Sequence, residues 1–182
     1  MGAAPAAPDR LRELLVATVA WHAPKLTPQG VANTAWSLAK QGLHFSDVLL
    51  PLQEATRRTA PEMNAQEAAN CVWAFATVGE KLGCAHEPLM HAVVRVADSM
   101  NAQAVVNTLW AFARLKVQPE DACRCLIGAV PRVAGSFKPR HVKQAYLGLE
   151  WLQAREVGGA KMKLALQAVG AAERHQRNTI ET

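Results

Sequence analysis

Side chains of three kinds recur along the chain at a fixed spacing of 37 residues. The recurring residues are Gln29, Gln66 and Gln103; Asn33, Asn70 and Asn107; and Trp36, Trp73 and Trp110. A carboxamide both donates and accepts hydrogen bonds, and an indole ring offers a face on which a nucleic-acid base can stack. These residue types suit the binding of an extended RNA or peptide better than they suit covalent chemistry.

The residue types that catalyse reactions or hold metal ions show no functional spacing. The six histidines contain no His-Glu-x-x-His motif. The cysteines Cys71, Cys84, Cys123 and Cys125 match no zinc or redox spacing, which favours buried thiols in a reducing compartment. There is also no glycine-rich phosphate loop and no nucleophile elbow. The sequence therefore predicts a protein that is not an enzyme and that has no cofactor, no metal and no small-molecule substrate.

Two further rows at the same spacing consist mainly of basic side chains. One row is Lys40, Thr77 and Arg114, and the other is Arg58, Arg95 and Arg132. With a net charge of +5, these rows raise the expectation of a polyanionic partner. The arginine row has two interpretations. It forms a stripe of phosphate contacts, or it satisfies the C-terminal carbonyls and the dipole of its own helices.

The elements that must position these rows are helices. The composition is rich in Ala and poor in aromatics, and no segment alternates with the period of a strand. A fixed period of this length indicates a repeat array in which each unit is one supersecondary element. The sequence predicts an all-α fold, an α-solenoid of stacked helical hairpins with a 37-residue repeat.

The 37-residue phase also sets the expected boundaries. The predicted segments are a disordered tail over 1–8, a single solenoid over 9–173 and a polar tail over 174–182. The solenoid divides into a half-repeat over 9–25, repeats over 26–62, 63–99 and 100–136, and a degenerate repeat over 137–173. The half-repeat is either a cap or a sign that the chain belongs to a longer product.

Several residues predict where helices begin and end. Thr27, Asn64 and Asn101 suit N-caps of first helices, and Ser46 suits the N-cap of a second helix. Pro131 should shorten or kink the helix that contains it.

On a helical wheel, each first helix divides into three sectors. The core sector is apolar, as in Val31, Ala35 and Leu38, and the second sector carries the Gln, Asn and Trp rows with Lys40, Thr77 and Arg114. The third sector varies between repeats and includes Thr34 and Thr108. Because a residue that is identical in every repeat cannot distinguish bases, we expect selectivity from this third sector and from the helix ends.

The asparagine and tryptophan rows leave alternatives open. The asparagines form a structural ladder between repeats, or hold RNA phosphates and sugars, or hold the backbone of an extended peptide. The tryptophans are a stacking platform for bases, or large wedges between neighbouring hairpins.

The segment Pro28–Gly42 and its two copies, which follow a Pro-Gln-x-x-Ala-Asn-x-x-Trp-Ala-x-Ala pattern, resemble the octotricopeptide and heptatricopeptide repeat families. The resemblance covers 26–136 well and 137–173 weakly, and Ala65 and Ala102 stand where the pattern has proline. It implies a helical-hairpin solenoid that acts in a mitochondrion or chloroplast and binds single-stranded RNA to promote its processing, stability or translation. No clear transit peptide and no membrane span are predicted.

The resulting hypothesis is a non-enzymatic RNA-binding solenoid. Lys40, Arg114 and the asparagine row contact the RNA backbone, and the third sector biases base choice. The alternative is a protein–protein scaffold or a subunit of a larger assembly such as an organellar ribosome. A continuous basic stripe would favour RNA, and an apolar or mixed groove would favour protein.

Overall fold

The structure, a computed structural model, describes residues 7–43 and 48–180. The described residues form nine α-helices: α1 Ala7–His22, α2 Pro28–Lys40, α3 Leu49–Thr59, α4 Ala65–Val78, α5 His86–Val96, α6 Ala102–Leu115, α7 Glu120–Val133, α8 Pro139–Gln153 and α9 Gly159–Ile180. Helix α1 precedes four sequential hairpins, α2–α3, α4–α5, α6–α7 and α8–α9. The prediction of an all-α solenoid of stacked hairpins is confirmed.

The turn that follows each second helix keeps the repeat in phase. A short 3-10 turn starts with an alanine in all four cases, at Ala23, Ala60, Ala97 and Ala134. Each of these alanines is buried, so only a small side chain fits there. An extended residue then redirects the chain into the next first helix.

The N-caps of the first helices lie where the sequence predicts them. The Asn64 side chain accepts from the backbone N–H groups of Gln66 and Glu67, both at 3.0 Å, and Glu67 accepts from Asn64 N–H at 2.8 Å. Thr27 and Asn101 each accept from a backbone N–H three residues on, at 3.1 and 2.9 Å. These bonds satisfy donors that the first helical turn leaves unpaired.

The helices form two layers. Helices α2, α4, α6 and α8 pack side by side in the first-helix layer, and α1, α3, α5, α7 and α9 form the second-helix layer. The predicted core sector is buried between the layers, with Phe75 and Phe112 fully inaccessible. The first helices approach closely because their contacting residues are small. A Cβ on Gly148 of α8 would stand 2.8 Å from the Leu109 carbonyl carbon of α6.

Some boundaries differ from the sequence expectation. Helix α1 already includes Ala7 and Pro8, while residues 1–6 and the predicted cap Ser46 lie outside the described residues. Helix α7 continues through Pro131 to Val133.

The largest difference is at the C-terminus, where residues 174–180 of the expected polar tail are helical. These residues continue α9 because Gln176 Nε2 donates to the Phe137 carbonyl at 2.6 Å and Arg177 pairs with Glu173 at 2.5 Å.

None of the described helices combines the length and the apolar character that a membrane crossing needs. Within residues 7–43 and 48–180, no three His, Cys, Asp or Glu side chains group together as potential metal ligands.

Candidate nucleic-acid interface

The glutamine, asparagine and tryptophan rows form the outward surface of the first-helix layer, which we call the amide face. Gln29, Gln66 and Gln103 are exposed, as is Asn33, whereas Asn70 and Asn107 are half-buried. The Trp36 side chain is 41% exposed, and Trp73 and Trp110 are half-buried against the core. The repeat period thus aligns equivalent polar side chains across neighbouring helices on one surface.

The asparagine row is not a structural ladder. Within the described residues, no hydrogen bond joins the side chains of Asn33, Asn70 and Asn107 to one another or to the backbone. The ladder interpretation was therefore wrong. These side chains do not need internal partners, because they remain in contact with solvent. Their donors and acceptors are available to a ligand.

A cleft of about 490 Å³ opens on the amide face between α4 and α6. Six carboxamide side chains line it: Asn64, Gln66, Asn70, Asn101, Gln103 and Asn107. The oxygens of Asn64 and Asn101 cap their helices, so their NH₂ groups remain as donors. The cleft therefore offers many neutral donors and acceptors and no charge.

The tryptophan row serves partly as packing. Trp73 and Trp110 fill space against the core, as the wedge interpretation proposes. Trp36 keeps much of its ring open, and Lys40 Nζ lies 5.7 Å from the ring centroid. That distance fits a cation–π contact at an exposed site.

The row of Lys40, Thr77 and Arg114 is uneven in the structure. Lys40 is exposed, and Arg114 Nε donates to the Ala76 carbonyl of the preceding first helix at 3.3 Å. Thr77 Oγ1 is buried and makes no hydrogen bond to any described residue. Only the two basic residues of this row can approach a ligand as charges.

The second arginine row is an inter-repeat clamp. Arg58 Nη2 donates to the carbonyls of Ala23 and Leu26 at 3.3 and 2.8 Å. Arg95 and Arg132 repeat this pattern on the next two turns, with distances of 2.7 to 3.3 Å. We call these three residues the arginine clamp.

The clamp corrects both interpretations of the arginine row. Each guanidinium joins its helix to the turn that leads from the preceding repeat into its own, so the row is not a free phosphate stripe. It also does not satisfy the carbonyls of its own helix.

The third sector is the contact between neighbouring first helices. Thr108 is fully buried, and its hydroxyl donates to the Ala104 carbonyl at 2.8 Å. Ala74 and Ala111 are also fully buried, and Thr34 is half-buried at the front of the stack. The prediction that this sector selects bases was therefore wrong for Thr108. The buried positions of this sector are small because neighbouring first helices pack against them.

Burial also makes two cysteines inert. It raises the pKa of both the Cys71 and the Cys123 thiols to about 12, so both stay protonated near neutral pH. Cys84 is exposed, and desolvation followed by its hydrogen bond with Glu54 raises its pKa as well.

The structure adds residues that the sequence analysis missed, on the last hairpin. Lys138, Arg140 and Lys143 of the α8 region are exposed at positions equivalent to Asn101, Gln103 and Val106. Burial, followed by the charges of Arg140 and Lys138, lowers the pKa of His141. The 37-residue alignment carries this signal for Lys138 and Arg140, since it places them at the cap and glutamine positions of the amide face. Lys143 is exposed at a position that is buried in the earlier repeats.

A comparison with protein-family models finds one family, described as a protein of unknown function (DUF1601), which corresponds to the octotricopeptide repeat. It matches residues 7–34, 47–72 and 86–109. Three segments of the chain thus match the octotricopeptide repeat. Each match runs from a second helix through the 3-10 turn into the next first helix, so the octotricopeptide unit includes the segment that the arginine clamp holds. Neither the curated proteins nor the solved structures that were searched include a match.

Proposed function

We propose that this octotricopeptide solenoid is a non-enzymatic RNA-binding protein that acts in organellar RNA processing, stability or translation. The observation that carries the proposal is the amide face, a continuous surface of exposed carboxamides and partly open tryptophans. Single-stranded RNA presents hydroxyls, phosphate oxygens and base edges that carboxamides can pair with. Octotricopeptide repeats are typically non-catalytic, which agrees with this role.

The proposed contacts are narrower than the sequence alone suggests. Asn33, Asn70 and Asn107 hold the RNA backbone or base edges, and Lys40 and Arg114 supply positive charge. The proposed contacts exclude the arginine clamp, Arg58, Arg95 and Arg132, because these side chains bind backbone carbonyls of the protein. They also exclude Thr108, because it is buried. A mitochondrion or chloroplast is the proposed location, on the basis of the repeat family alone.

The experiment is a binding titration of fluorescein-labelled 12-nucleotide RNA of mixed sequence, measured by anisotropy at low salt. The test variant is Asn33→Ala/Asn70→Ala/Asn107→Ala. We expect binding to weaken at least tenfold, since each lost hydrogen bond to a polar ligand contributes roughly 0.5–1.5 kcal/mol. Absence of any wild-type binding at low salt would rule out the proposal.

The matched control removes three amides that lie away from the amide face, Gln118→Ala/Gln153→Ala/Gln167→Ala. This control should bind RNA as the wild type does. Equal loss of affinity in both variants would show that the amide face is not the binding surface.

The alternative is a protein–protein scaffold or a subunit of a larger assembly. It is favoured by exposed apolar side chains on the second-helix layer, with Trp21 74% and Leu50 72% exposed. It is also favoured by the neutral charge of the α4/α6 cleft, which is not the continuous basic stripe expected of an RNA groove. Mutation of Trp21 and Leu50 to Ser should then abolish partner capture and leave RNA binding unchanged.

A further inference from the structure

The positive charge of the chain is concentrated in one hairpin. Residues 137–180 contain eight Lys or Arg against three Glu, a net +5 that equals the charge of the whole chain. Residues 1–136 contain twelve Lys or Arg against eleven Asp or Glu. The first part of the solenoid is thus nearly neutral, and the last hairpin is strongly basic.

The arginines of the three central repeats are already committed to the protein itself. Within residues 26–136, two arginines, Arg57 and Arg124, pair with neighbouring carboxylates. The other four donate to backbone carbonyls: Arg58, Arg95, Arg114 and Arg132. Apart from Arg114, which is exposed and makes a single 3.3 Å bond, these groups cannot neutralise phosphates without breaking internal contacts.

The last hairpin differs, because its cations on the amide face donate to no backbone carbonyl of the described residues, and Arg140 Nε makes one long bond, to the neighbouring His141 Nε2 at 3.4 Å. Lys138, Arg140 and Lys143 are exposed, and no described residue forms an ion pair with them. Lys143 shares a groove with Glu150 and Glu173, but Glu173 pairs with Arg177 instead.

These three cations also continue the amide face. The α4/α6 cleft is lined by the helix-cap residues and by the glutamine row, among them Asn101 and Gln103. One repeat later the equivalent positions are Lys138 and Arg140. Lys143 is equivalent to Ala69, which also lines the cleft. The surface therefore changes from neutral carboxamides to cations at its C-terminal end.

We propose that Lys138, Arg140 and Lys143 form the phosphate anchor of the RNA track, which we call the cationic end. The proposal rests on the RNA-binding function proposed above and assigns the largest share of its electrostatic affinity to one hairpin, with Lys40 and Arg114 as minor contributors. The RNA strand binds with its phosphates on α8 and continues over the carboxamides of α6 and α4. Neutral amides then contact bases and sugars, and the anchor fixes the register of the strand.

The test measures RNA affinity against salt for the full chain and for Lys138→Gln/Arg140→Gln/Lys143→Gln. Phosphate contacts release counterions, with a slope of about −0.7 per contact for single strands. Loss of three contacts should therefore flatten the slope of log K against log salt by about 2. Affinity at 50 mM salt should fall roughly tenfold or more.

The matched control removes three exposed cations outside the first helices, Lys25→Gln/Lys81→Gln/Arg124→Gln. It lowers the net charge equally and should keep the wild-type slope. An equal change of slope in both variants would overturn the cationic end while leaving RNA binding intact. No binding by the wild type would overturn the proposed function itself. Competition by polyglutamate as effective as by RNA would indicate an acidic protein partner and overturn the anchor for RNA.

A second readout follows His141, which lies beside Arg140 and Lys138. RNA phosphates at the cationic end should offset those two charges, so the pKa of His141 should rise on binding. NMR titration of its imidazole with and without the 12-nucleotide RNA measures this shift. The double variant Lys138→Gln/Lys143→Gln, which keeps Arg140, serves if the triple variant loses stability. An unchanged pKa in the bound state would contradict the placement of the phosphates.

Discussion

At the scale of single residues, the arginine clamp gives a direct prediction in helix α3. Arg58 and Arg57 are adjacent, but Arg58 bonds to the Ala23 and Leu26 carbonyls and Arg57 pairs with Glu54 at the surface. Arg58→Met should destabilise the fold by about 2 kcal/mol, because it removes charge-assisted hydrogen bonds. Arg57→Met should cost much less, because solvent screens an exposed ion pair. Urea denaturation of both variants measures the difference. Equal effects would contradict the clamp.

His141 provides a second prediction, on pH. Its Nδ1 accepts the Lys138 backbone N–H at 3.2 Å, which caps α8 as a carboxylate would. Burial and the nearby cations lower its pKa from the usual 6.5, so the unfolded chain binds a proton more readily than the folded one. The stability that neutral His141 contributes is fully present above pH 6.5, and it is lost as the pH falls through the lower pKa of the folded state.

The measurement is the melting temperature between pH 7.5 and 5. His141→Gln keeps an acceptor without a titratable group, so its melting temperature should fall less than that of the wild type. The control His175→Gln, at an exposed position of α9, should retain the wild-type dependence on pH. If His141→Gln shows the same pH dependence as the wild type, this histidine is not responsible.

The sequence identifies the repeated residues correctly but not what they contact. A spacing of 37 places Arg58, Arg95 and Arg132 in equivalent positions, and it cannot reveal that their acceptors are carbonyls of the preceding turn. Those acceptors are backbone atoms, which every residue has, so no residue type marks them in the sequence. The same limit applies to Thr108, whose burial depends on how closely α4 approaches α6.

At the scale of elements, the contact between α6 and α8 depends on one glycine. A Cβ on Gly148 would meet the Leu109 backbone at 2.8 to 3.0 Å, and backbone atoms cannot move aside cheaply. Gly148→Ala should therefore destabilise the fold by about 1–3 kcal/mol, despite the better helix propensity of alanine.

The matched substitution is Gly128→Ala, in the exposed part of α7. Its Cβ would meet only the Lys161 side chain, at 3.7 Å. This variant should gain up to about 1 kcal/mol, because alanine restricts the unfolded chain and favours helix. Thermal unfolding of the two variants should show shifts of opposite sign, and shifts of the same sign would argue against the close approach.

Helix boundaries follow from the sequence where a local signal sets them. Asn64, Glu67 and Gly79 determine the ends of α4 by capping and by a φ of +78°. The C-terminus of α9 lacks such a signal. It extends to Ile180 because Gln176 bonds to Phe137, the residue equivalent to the acceptors Leu26, Met63 and Met100. Tertiary contacts of this kind are not visible in local sequence.

At the scale of the whole molecule, stability should vary along the stack. Each hairpin contacts mainly its neighbours, so helices with a neighbour on both sides are the best protected. Helix α1 lies at one end and exposes Leu14, Leu15 and Trp21. Amide hydrogen exchange should be slowest in α4 and α6 and fastest in α1. Uniform protection over residues 7–180 would instead indicate a single all-or-none unit.

The proposed binding surface also emerges only at this scale. The sequence shows that Asn70 and Asn107 are equivalent, but the cleft between them exists because α4 and α6 lie side by side. The concentration of charge in residues 137–180 is readable from sequence, yet its meaning requires knowing that Arg58, Arg95 and Arg132 are engaged elsewhere. Structure decides which charges are available.

The arginine clamp has a consequence for how such arrays grow. Each clamp recognises carbonyl oxygens, which every residue possesses, so it makes little demand on the side chains of the neighbouring unit. An in-frame duplication of 37 residues would bring its own arginine and present its own acceptors. The junction between old and new copies would form without compensating substitutions. The array can therefore change length by duplication or deletion without redesign of its junctions.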